Sequence, residues 1–139
     1  MPKIWTTTRR LSFGDCDVSG TGYYPAYFNM LNGVNEEFWG FLGFPWEKII
    51  INEGWGTPTV HLSSDFAAPS KLGDTLGFSL VVRKIATSSI TLSHSVNCGD
   101  EPRWSAQQVL VASDFSRHVS IPWPDAFRDA VAPYLEAVD

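Results

Sequence analysis

One long helical pattern in the first third of the sequence constrains this chain more than any other feature. Its apolar residues recur at steps of four, three, four and four, which puts them on a single face of an α-helix. This stripe consists of Tyr27, Leu31, Val34, Phe38 and Leu42. Pro25 fits the first helical turn, where no amide proton is needed, and Gly43 fits a left-handed C-cap. We therefore predict a helix over residues 25–42, roughly 27 Å long, at the centre of a small domain.

Alternation of apolar and polar residues predicts strands on both sides of this helix. The first strand is expected over residues 4–13, where Trp5, Leu11 and Phe13 share one parity. Residues 44–53 fit either a strand fragment or one helical turn, so we expect a connection there. Further strands are predicted over 58–66, 76–82, 90–96 and 104–115, turns at 67–74, 86–87 and 97–102, and a terminal helix at 125–138. Hairpins make the later strands antiparallel, and one helix on one face of one sheet gives an α+β fold.

The sheet face that turns away from the helix is predicted to be poor in charge. Its residues alternate to Ser, Thr and His, and Lys, Arg, Asp and Glu together make up only 18% of the chain. Because surfaces with few charges are typical of contacts between subunits, we expect part of this face to be buried in an oligomer.

Size, charge and cysteine content exclude several classes of protein. The 139 residues fit a single domain over 1–139, and 44% hydrophobic residues provide for a core. A formal charge of -5 argues against nucleic-acid binding, which needs a basic surface. No window is apolar enough to span a membrane, and the start of the sequence lacks the apolar run of a signal peptide. Cys16 and Cys98 suit neither a disulfide framework nor a zinc site, so we expect a soluble cytoplasmic protein without a bound metal.

A carboxylate ahead of the helix is the main candidate for chemistry. Asp17 lies seven residues before Tyr24, in a turn rich in Gly and Ser. The first amides of a helix lack intrahelical acceptors and carry partial positive charge, so they can hold an acyl oxygen. The carboxylate would then attack the carbonyl carbon or activate water. The alternative is that Asp15 and Asp17 only form the turn and cap backbone amides, and spacing by itself favours this alternative.

The three histidines give no catalytic triad. His94 shares its parity with three apolar neighbours, so we predict a core histidine bonded to backbone. His61 shares its parity with Thr59 and other polar residues, which makes it better placed than His94 to meet a ligand. The carboxylates on either side of Cys16 disfavour a thiolate, so we predict a small buried residue there.

The segment FGDCDVSGTGYYPAYFNMLNG resembles the hot-dog-fold thioesterases of the 4-hydroxybenzoyl-CoA thioesterase family. The shared pattern is D-x-D, a small residue, Gly, and then Y-P-x-Y leading into a long central helix. It is carried by Asp15, Asp17, Gly20, Tyr24, Pro25 and Tyr27. The later stretches GTPTVHLSSDFAAPSKLGDTLGFSLVVRKI and SITLSHSVN resemble strands of the same family, so the resemblance covers about residues 8–113.

This resemblance implies a hot-dog fold, in which a five-stranded antiparallel sheet wraps the long central helix. It implies subunits paired edge to edge into a homodimer or a homotetramer, with the active site at their interface. Asp17 matches the catalytic carboxylate, as nucleophile or general base, and the Tyr24 backbone amide matches the group that polarises the thioester carbonyl. The implied reaction is hydrolysis of an acyl-CoA to a carboxylate and free CoA. CoA is part of the substrate, and no metal or redox cofactor is implied.

Two departures from the family pattern bear on the substrate. Where the family's aroyl-CoA enzyme has three consecutive basic residues for the CoA phosphates, this chain has Ala86-Thr87-Ser88. The basic residues near strand ends that can replace that run are Arg83, Lys84, Arg117 and His118. An aspartate on the family's helix is replaced by Asn32, which changes the hydrogen bonds offered to the acyl group. We predict an aromatic or other bulky acyl group and substrate contacts at Gly20, Tyr27, Asn32, Thr59, His61, Arg83 and Lys84.

Two other functions stay open on the same fold. One is a hot-dog enoyl-CoA hydratase or dehydratase, a class whose resemblance implies a His and an acidic residue on the helix. The predicted helix of this chain contains no histidine. A non-catalytic acyl-CoA-binding protein would keep the binding surface without turnover.

Overall fold

The computed structural model describes residues 2–136 of the chain. The strands are β1 (Trp5–Arg10), β2 (Trp55–Gly56), β3 (Thr59–Phe66), β4 (Thr75–Ile85), β5 (Ser89–Cys98), β6 (Glu101–Val111), β7 (Ser113–Asp114) and β8 (Val119–Ser120). The helices are α1 (Tyr24–Phe41) and α2 (Asp125–Val131), with 3-10 turns at Phe13–Asp15 and Ala132–Tyr134 and a π-helix at Glu47–Asn52. None of the helices in residues 2–136 has the length and apolar character needed to cross a lipid bilayer.

Within these residues a five-stranded antiparallel sheet has the strand order β1-β4-β5-β6-β3. The hairpin-linked strands β4, β5 and β6 form its centre, and β1 and β3 form its edges. A smaller sheet has the order β2-β7-β8. Helix α1 packs on the apolar face of the large sheet, where the ring centroids of Tyr27 and Trp104 lie 5.2 Å apart. The predicted α+β arrangement of one long helix on a five-stranded antiparallel sheet is confirmed.

The apolar stripe predicted for α1 is the face that packs on the sheet. Four of its five residues are buried, and the fifth, Leu42, is half-buried at the C-cap. The helix begins at Tyr24 and ends at Phe41, one residue earlier at each end than predicted. Pro25 lies in the first turn, and Gly43 has a φ of 96°, so both predicted helix-end signals are confirmed.

The first strand is shorter than predicted. β1 ends at Arg10, and Phe13 lies in a 3-10 turn with 80% of its surface exposed rather than in the core. The turn forms because the Ser12 amide donates to the Asp15 carboxylate over 2.8 Å and the Asp15 amide donates to the Ser12 carbonyl over 2.9 Å. Asp15 is therefore a turn-forming residue, as the alternative interpretation of this segment predicts.

The second half of the chain departs from the predicted element ends at several places. β4 covers Thr75–Ile85 rather than 76–82, and β5 covers Ser89–Cys98 rather than 90–96. The turn predicted at 97–102 contains only two residues, beginning with Gly99 at a φ of 59°, because the flanking strands pair up to it. The strand predicted over 104–115 is divided at Ala112. The Ala112 amide donates to the Ser88 carbonyl over 2.8 Å, so the chain leaves the large sheet there.

The ambiguous stretch 44–53 and the predicted terminal helix are both helical but irregular. In the stretch 44–53, the Glu53 amide donates to the Lys48 carbonyl five residues earlier, over 3.1 Å, which is the π-helical pattern. The helix predicted over 125–138 is shorter in the structure, since α2 ends at Val131 and Pro133 lies in the 3-10 turn that follows. Proline has no amide to continue a helix. Residues 137 and 138 lie outside the described residues.

Strand β3 is an exposed edge, and its parity changes at a β-bulge. The bulge lies between Thr59 and His61, so Thr59 pairs with Leu110 on the core face while His61 pairs with Val109 on the outer face. The predicted shared face of Thr59 and His61 is therefore wrong, because a bulge adds one residue to the strand and reverses the alternation beyond it.

A buried polar cluster, which we call the Gln108 network, joins α1 to the sheet. Asn35 Nδ2 donates to Gln108 Oε1 over 2.8 Å, and His94 Nε2 lies 3.0 Å from the same oxygen. Gln108 Nε2 donates to Thr59 Oγ1 over 2.9 Å. Burial lowers the pKa of His94 to about 4, so its ring is neutral at neutral pH and its Nε2–H donates. The predicted burial of His94 is confirmed, but the predicted backbone partner is wrong, because the bond goes to a side chain.

Candidate active site

Asp17 lies in a tight reversal whose geometry holds its carboxylate in the ionised form. The Asp17 amide donates to the Thr21 carbonyl over 3.0 Å, and the Gly20 amide donates to the Asp17 carbonyl over 3.0 Å. Gly20 has a φ of 80°, a left-handed conformation that glycine adopts without strain. The Ser19 hydroxyl and the Ser19 amide both donate to Asp17 Oδ1, the amide over 2.9 Å. These bonds, the hydroxyl first, lower the pKa of Asp17.

Residues 70–72 hold the turn around Asp17 in place through main-chain hydrogen bonds. The Gly22 amide donates to the Ser70 carbonyl over 2.8 Å, and the Leu72 amide donates to the Gly20 carbonyl over 2.9 Å. Antiparallel bridges join Cys16 to Gly22 and Thr21 to Lys71. The backbone around Asp17 is thus held by main-chain hydrogen bonds to residues fifty positions away in sequence.

Helix α1 begins directly after this reversal. The Tyr23 amide donates to the Asp15 carbonyl over 2.8 Å, and the Tyr23 carbonyl accepts from Ala26 over 2.8 Å. Tyr24 is the first helical residue, so its amide is among the donors that have no acceptor within the helix. The partial positive charge of the helix start also belongs to this end. The structure therefore places an electropositive group close in the chain to an anionic one.

Asp17 and the start of α1 line one cleft of about 400 Å³. Its lining residues are Asp17, Gly22, Tyr23, Tyr24, Tyr27, Phe66, Ala67, Ala68 and Pro69. The Tyr27 ring stacks on Trp104 at an interplanar angle of 13° and lies 6.1 Å from the Phe66 ring, centroid to centroid. The cleft is therefore lined by aromatic rings as well as by the carboxylate. We call this space the Tyr27 cleft.

A second, more apolar cleft lies on the other side of Asp17. It measures about 630 Å³ and is lined by Phe13, Cys16, Asp17, Val18, Gly20, Tyr23 and Leu72. Phe13 and Val18 are strongly exposed within the single chain. Asp17 and Tyr23 line both clefts, so a molecule bound at Asp17 can extend in two directions. We call this second space the Leu72 cleft.

The structure brings four of the predicted site residues together. Asp17, Tyr24 and Tyr27 line the Tyr27 cleft, and Gly20 lies in the Asp17 reversal and lines the Leu72 cleft. Asn32 is exposed on α1 and lines neither of these two clefts. Its substrate contact stays a prediction.

The remaining predicted contacts lie elsewhere in the single chain. Thr59 belongs to the Gln108 network, and His61 is exposed on the outer face of edge strand β3. Arg83 forms an ion pair with Glu136, with 2.7 Å between Nε and Oε2, and Lys84 is exposed beside it. Arg83 and Lys84 stand near the far end of β4, whose other end adjoins the segment that ties down Asp17. One chain alone does not gather these residues at Asp17.

Comparison with known proteins gives the family. The sequence profile of the thioesterase-like superfamily matches residues 11–131, which is most of the chain. The chain belongs to the thioesterase-like superfamily. The matched region includes the Asp17 reversal, α1 and all the strands from β2 to β8. The family resemblance stated for the segment around Asp17 is confirmed.

Relatives within the thioesterase-like superfamily are similar over most of their length. A 4-hydroxybenzoyl-CoA thioesterase from Pseudomonas sp. (strain CBS-3) is 27% identical over 99 residues, 70% of this chain and 70% of the relative. A 1,4-dihydroxy-2-naphthoyl-CoA hydrolase from Nostoc punctiforme is 27% identical over 117 residues, 84% of this chain and 74% of the relative. The solved structure of a gentisyl-coenzyme A thioesterase superposes with a TM-score of 0.83 at 26% identity, covering 91% of this chain and 99% of that one. These similarities confirm the hot-dog fold.

Sequence patterns missed several residues that shape the site of this thioesterase-like protein. Residues 67–69 form one side of the Tyr27 cleft, but their pattern predicts only a turn. Ser19 holds the Asp17 carboxylate, and nothing in its spacing distinguishes it from other turn serines. Gly22 is a clearer case, because a Cβ at that position would collide with the Tyr27 ring. A glycine just before a helix that begins with aromatic residues is a sequence signal that could have predicted this close contact.

Cys16 lines the Leu72 cleft but does not provide a thiolate. Burial, Asp15 and Asp17 raise the pKa of the Cys16 thiol, so it is protonated at neutral pH, and the residue is half-buried. Among residues 2–136, no three or more His, Cys, Asp or Glu side chains are grouped so as to hold a metal ion.

Proposed function

We propose that this chain hydrolyses an acyl-CoA thioester with an aromatic or other bulky acyl group, releasing a carboxylate and free CoA. One observation carries the proposal: the ionised Asp17 carboxylate and the amide end of α1 line the same cleft. Membership of the thioesterase-like superfamily supports the reaction class. The names of the relatives, a 4-hydroxybenzoyl-CoA thioesterase and a 1,4-dihydroxy-2-naphthoyl-CoA hydrolase, support an aromatic acyl group.

In the proposed reaction, the Tyr24 amide donates a hydrogen bond to the thioester carbonyl oxygen, which becomes negative as the carbon is attacked. The positive end of α1 stabilises that charge. As a nucleophile, an Asp17 oxygen bonds to the carbonyl carbon, the C–S bond breaks, the thiolate takes a proton from solvent, and water then hydrolyses the anhydride. As a general base, Asp17 removes a proton from the water that attacks directly. Its lowered pKa supports the nucleophilic route, because it makes the carboxylate a weaker proton acceptor.

The form of the Tyr27 cleft supports a planar acyl group. The rings of Tyr27 and Phe66 line this cleft, and Tyr27 is stacked on the buried ring of Trp104. Flat ligands pack well against such aromatic surfaces. Its volume of about 400 Å³ falls within the range of sites that take small organic groups.

Replacing Asp17 tests the proposal. Asp17→Asn keeps the shape and removes the charge, so kcat/KM for thiol release is expected to fall by roughly 10³-fold or more. Asp15→Asn is the matched control, because Asp15 lies two residues away, binds the Ser12 amide and does not line either cleft. The assay covers aryl, arylacetyl and aliphatic CoA esters, and the aryl esters are expected to be the best substrates. Wild-type rates in Asp17→Asn would exclude the proposed role.

The same assay separates the two alternative functions. Water addition to an enoyl-CoA without thiol release would indicate a hydratase, and the described helix α1 has no histidine for that chemistry. Saturable binding across the acyl panel with no turnover of any ester would indicate an acyl-CoA-binding protein.

The hydrogen bonds of Ser19 predict how activity depends on pH. The Ser19 hydroxyl is the largest cause of the lowered Asp17 pKa, so Asp17 stays ionised as pH falls below the usual range of an aspartate. Activity that needs the carboxylate is therefore present above that lowered pKa and lost below it. Ser19→Ala should move the acid limb of the kcat/KM profile to higher pH. An unchanged acid limb in Ser19→Ala would show that another group controls it.

We also propose a homodimer formed through β3, or a homotetramer built from two such dimers. β3 is an edge strand in the described region, and its apolar residues Val60, Leu62 and Phe66 are exposed by 62%, 37% and 51%. An apolar edge of this kind invites pairing with a second strand. Phe66 also lines the Tyr27 cleft, so a partner strand would help to close that cleft. Sedimentation of the purified chain measures the number of subunits in the assembly.

The single-domain extent of 1–139 and the cytoplasmic location stay predictions.

A further inference from the structure

The basic side chains of this protein differ in whether a carboxylate already neutralises them. Within residues 2–136, five of them lie within 4.0 Å of an acidic oxygen. Those five are Arg9, Lys48, Arg83, Arg103 and Arg117. Among the described residues, Lys3, Arg10, Lys71 and Lys84 are exposed and form no such ion pair. These four are therefore better able to bind an anionic ligand than Arg83, which is paired with Glu136.

Lys71 stands in the same cross-strand row as Asp17. Cys16 pairs with Gly22, which places Asp17 opposite Thr21, and Thr21 in turn pairs with Lys71. Two strand spacings of about 4.8 Å each put the Lys71 backbone roughly 10 Å from that of Asp17. Residues opposite one another in antiparallel pairs point to the same face, so Lys71 projects from the face that carries the carboxylate.

Arg10 lies on the other side of the turn that Lys71 begins. The Leu11 amide donates to the Asp74 carbonyl over 2.8 Å, and the Gly73 amide donates to the Leu11 carbonyl over 2.9 Å, which joins the end of β1 to this turn. A Cβ at Gly73 would lie 3.9 Å from Arg10 Nη2, so the guanidinium rests beside the turn. The nearby Asp74 carboxylate is already occupied, since its Oδ2 accepts from Arg103 over 2.6 Å and from the Lys71 amide over 2.8 Å.

The Leu72 cleft runs from Asp17 to Leu72, the residue next to Lys71 in the chain. Leu72 lies between Lys71 and Gly73 in the chain and lines the same cleft as Asp17. Coenzyme A has its sulfur at one end of a largely uncharged pantetheine arm and its phosphates at the other. A thioester held at Asp17 with its pantetheine arm in the Leu72 cleft would carry the phosphates towards Arg10 and Lys71.

We propose that Arg10 and Lys71 bind the phosphates of coenzyme A, with the pantetheine arm in the Leu72 cleft. This inference rests on the proposed function, and it assigns the phosphates to a place other than Arg83 and Lys84. Lys84 lies nine residues beyond Thr75 on β4, roughly 30 Å along the strand from the Lys71 turn. Within one chain, a ligand at Asp17 meets Lys71 and Arg10 first.

Binding of coenzyme A itself tests the assignment without any need for turnover. Calorimetry measures Kd for coenzyme A and for pantetheine, which lacks the phosphates, on wild type, Arg10→Gln, Lys71→Gln and the double variant. Each single change is expected to weaken coenzyme A binding about fivefold and the double change about 20-fold, as for exposed charge pairs. Pantetheine binding should not change. Added salt should weaken coenzyme A binding to wild type and have less effect on the double variant.

Matched variants decide between this site and its rivals. Lys3→Gln removes an exposed lysine that precedes the opposite end of β1, and coenzyme A affinity should not change. Lys84→Gln tests the rival position, and a fivefold loss there with no loss in Lys71→Gln would overturn the proposal. Equal losses for coenzyme A and pantetheine in the double variant would also overturn it, since they would indicate a distorted cleft. If coenzyme A binds as expected but no ester is hydrolysed, the thioesterase proposal fails and this site remains.

Discussion

Replacing Gln108 isolates the energetic contribution of the polar cluster between helix and sheet. Gln108→Leu keeps most of the side-chain volume, so the effect comes from polar groups left without partners rather than from a cavity. Asn35 Nδ2 and His94 Nε2 both bond to Gln108 Oε1, and both residues are 1% exposed. Neither donor can turn to water after the change. Thr59 also loses a partner, but it is exposed and water replaces the bond.

The expected magnitude follows from these two stranded donors. Each buried donor without an acceptor costs about 1–3 kcal/mol, which gives roughly 2–6 kcal/mol for the pair. The leucine side chain offsets about 1–2 kcal/mol of this through its greater apolar burial. The middle of the resulting range is a fall of about 2–3 kcal/mol in the free energy of unfolding, a large share of the stability of a typical domain.

Gln107 supplies the matched control for this experiment. It is the neighbouring glutamine in β6, it is exposed on the opposite face, and its Nε2 donates to Ser93 Oγ over 2.8 Å. Gln107→Leu should change stability by no more than about 0.5 kcal/mol. Urea unfolding at one fixed protein concentration gives the midpoint and slope for both variants. Equal midpoints for the two leucine variants would refute the argument that Gln108 satisfies buried donors.

Two further predictions concern acid stability and the Tyr27 cleft. The pKa of His94 is about 4 in the folded chain, and its ordinary value is 6.5. Between these two pH values the unfolded chain binds a proton at His94 and the folded chain does not. The free energy of unfolding should therefore be greatest above pH 6.5 and fall by on the order of 3 kcal/mol towards pH 4, and unfolding of His94→Gln across this range should show a shallower slope. Gly22→Ala would place a Cβ on the Tyr27 ring, so it should lower stability by about 1–3 kcal/mol and reduce thioesterase activity. Gly14→Ala meets nothing within 4 Å and should match wild type in thermal unfolding and in thiol release.

Periodicity predicted the core of this fold because burial acts on every residue of an element. The stripe on α1 and the alternation in β4, β5 and β6 are each repeated several times, so one irregular residue does not hide them. Strand ends depend on single hydrogen bonds, such as the one from Ala112 to Ser88 that divides the last predicted strand. A single bond of this kind leaves no periodic trace in the sequence.

The site was predictable only where its parts are close together in the chain. Asp17, Gly20 and Tyr24 lie within one short motif, and the structure keeps them together. Residues 66–69 reach the same cleft through the end of β3, a juxtaposition that alternation alone does not predict. The bulge at Thr59 shows the same limit, since one extra residue reverses the faces of a strand without changing its composition.

The main-chain bonds between residues 20–22 and 70–72 have a consequence for how such enzymes diverge. Every residue has a main-chain carbonyl, and every residue except proline has a main-chain N–H. Most substitutions in either segment therefore leave these hydrogen bonds intact. Evolution can then exchange the side chains at Thr21, Lys71 and Leu72 while the position of the Asp17 carboxylate stays fixed. New substrate preferences can arise there one mutation at a time, without an intermediate in which the Asp17 turn is lost.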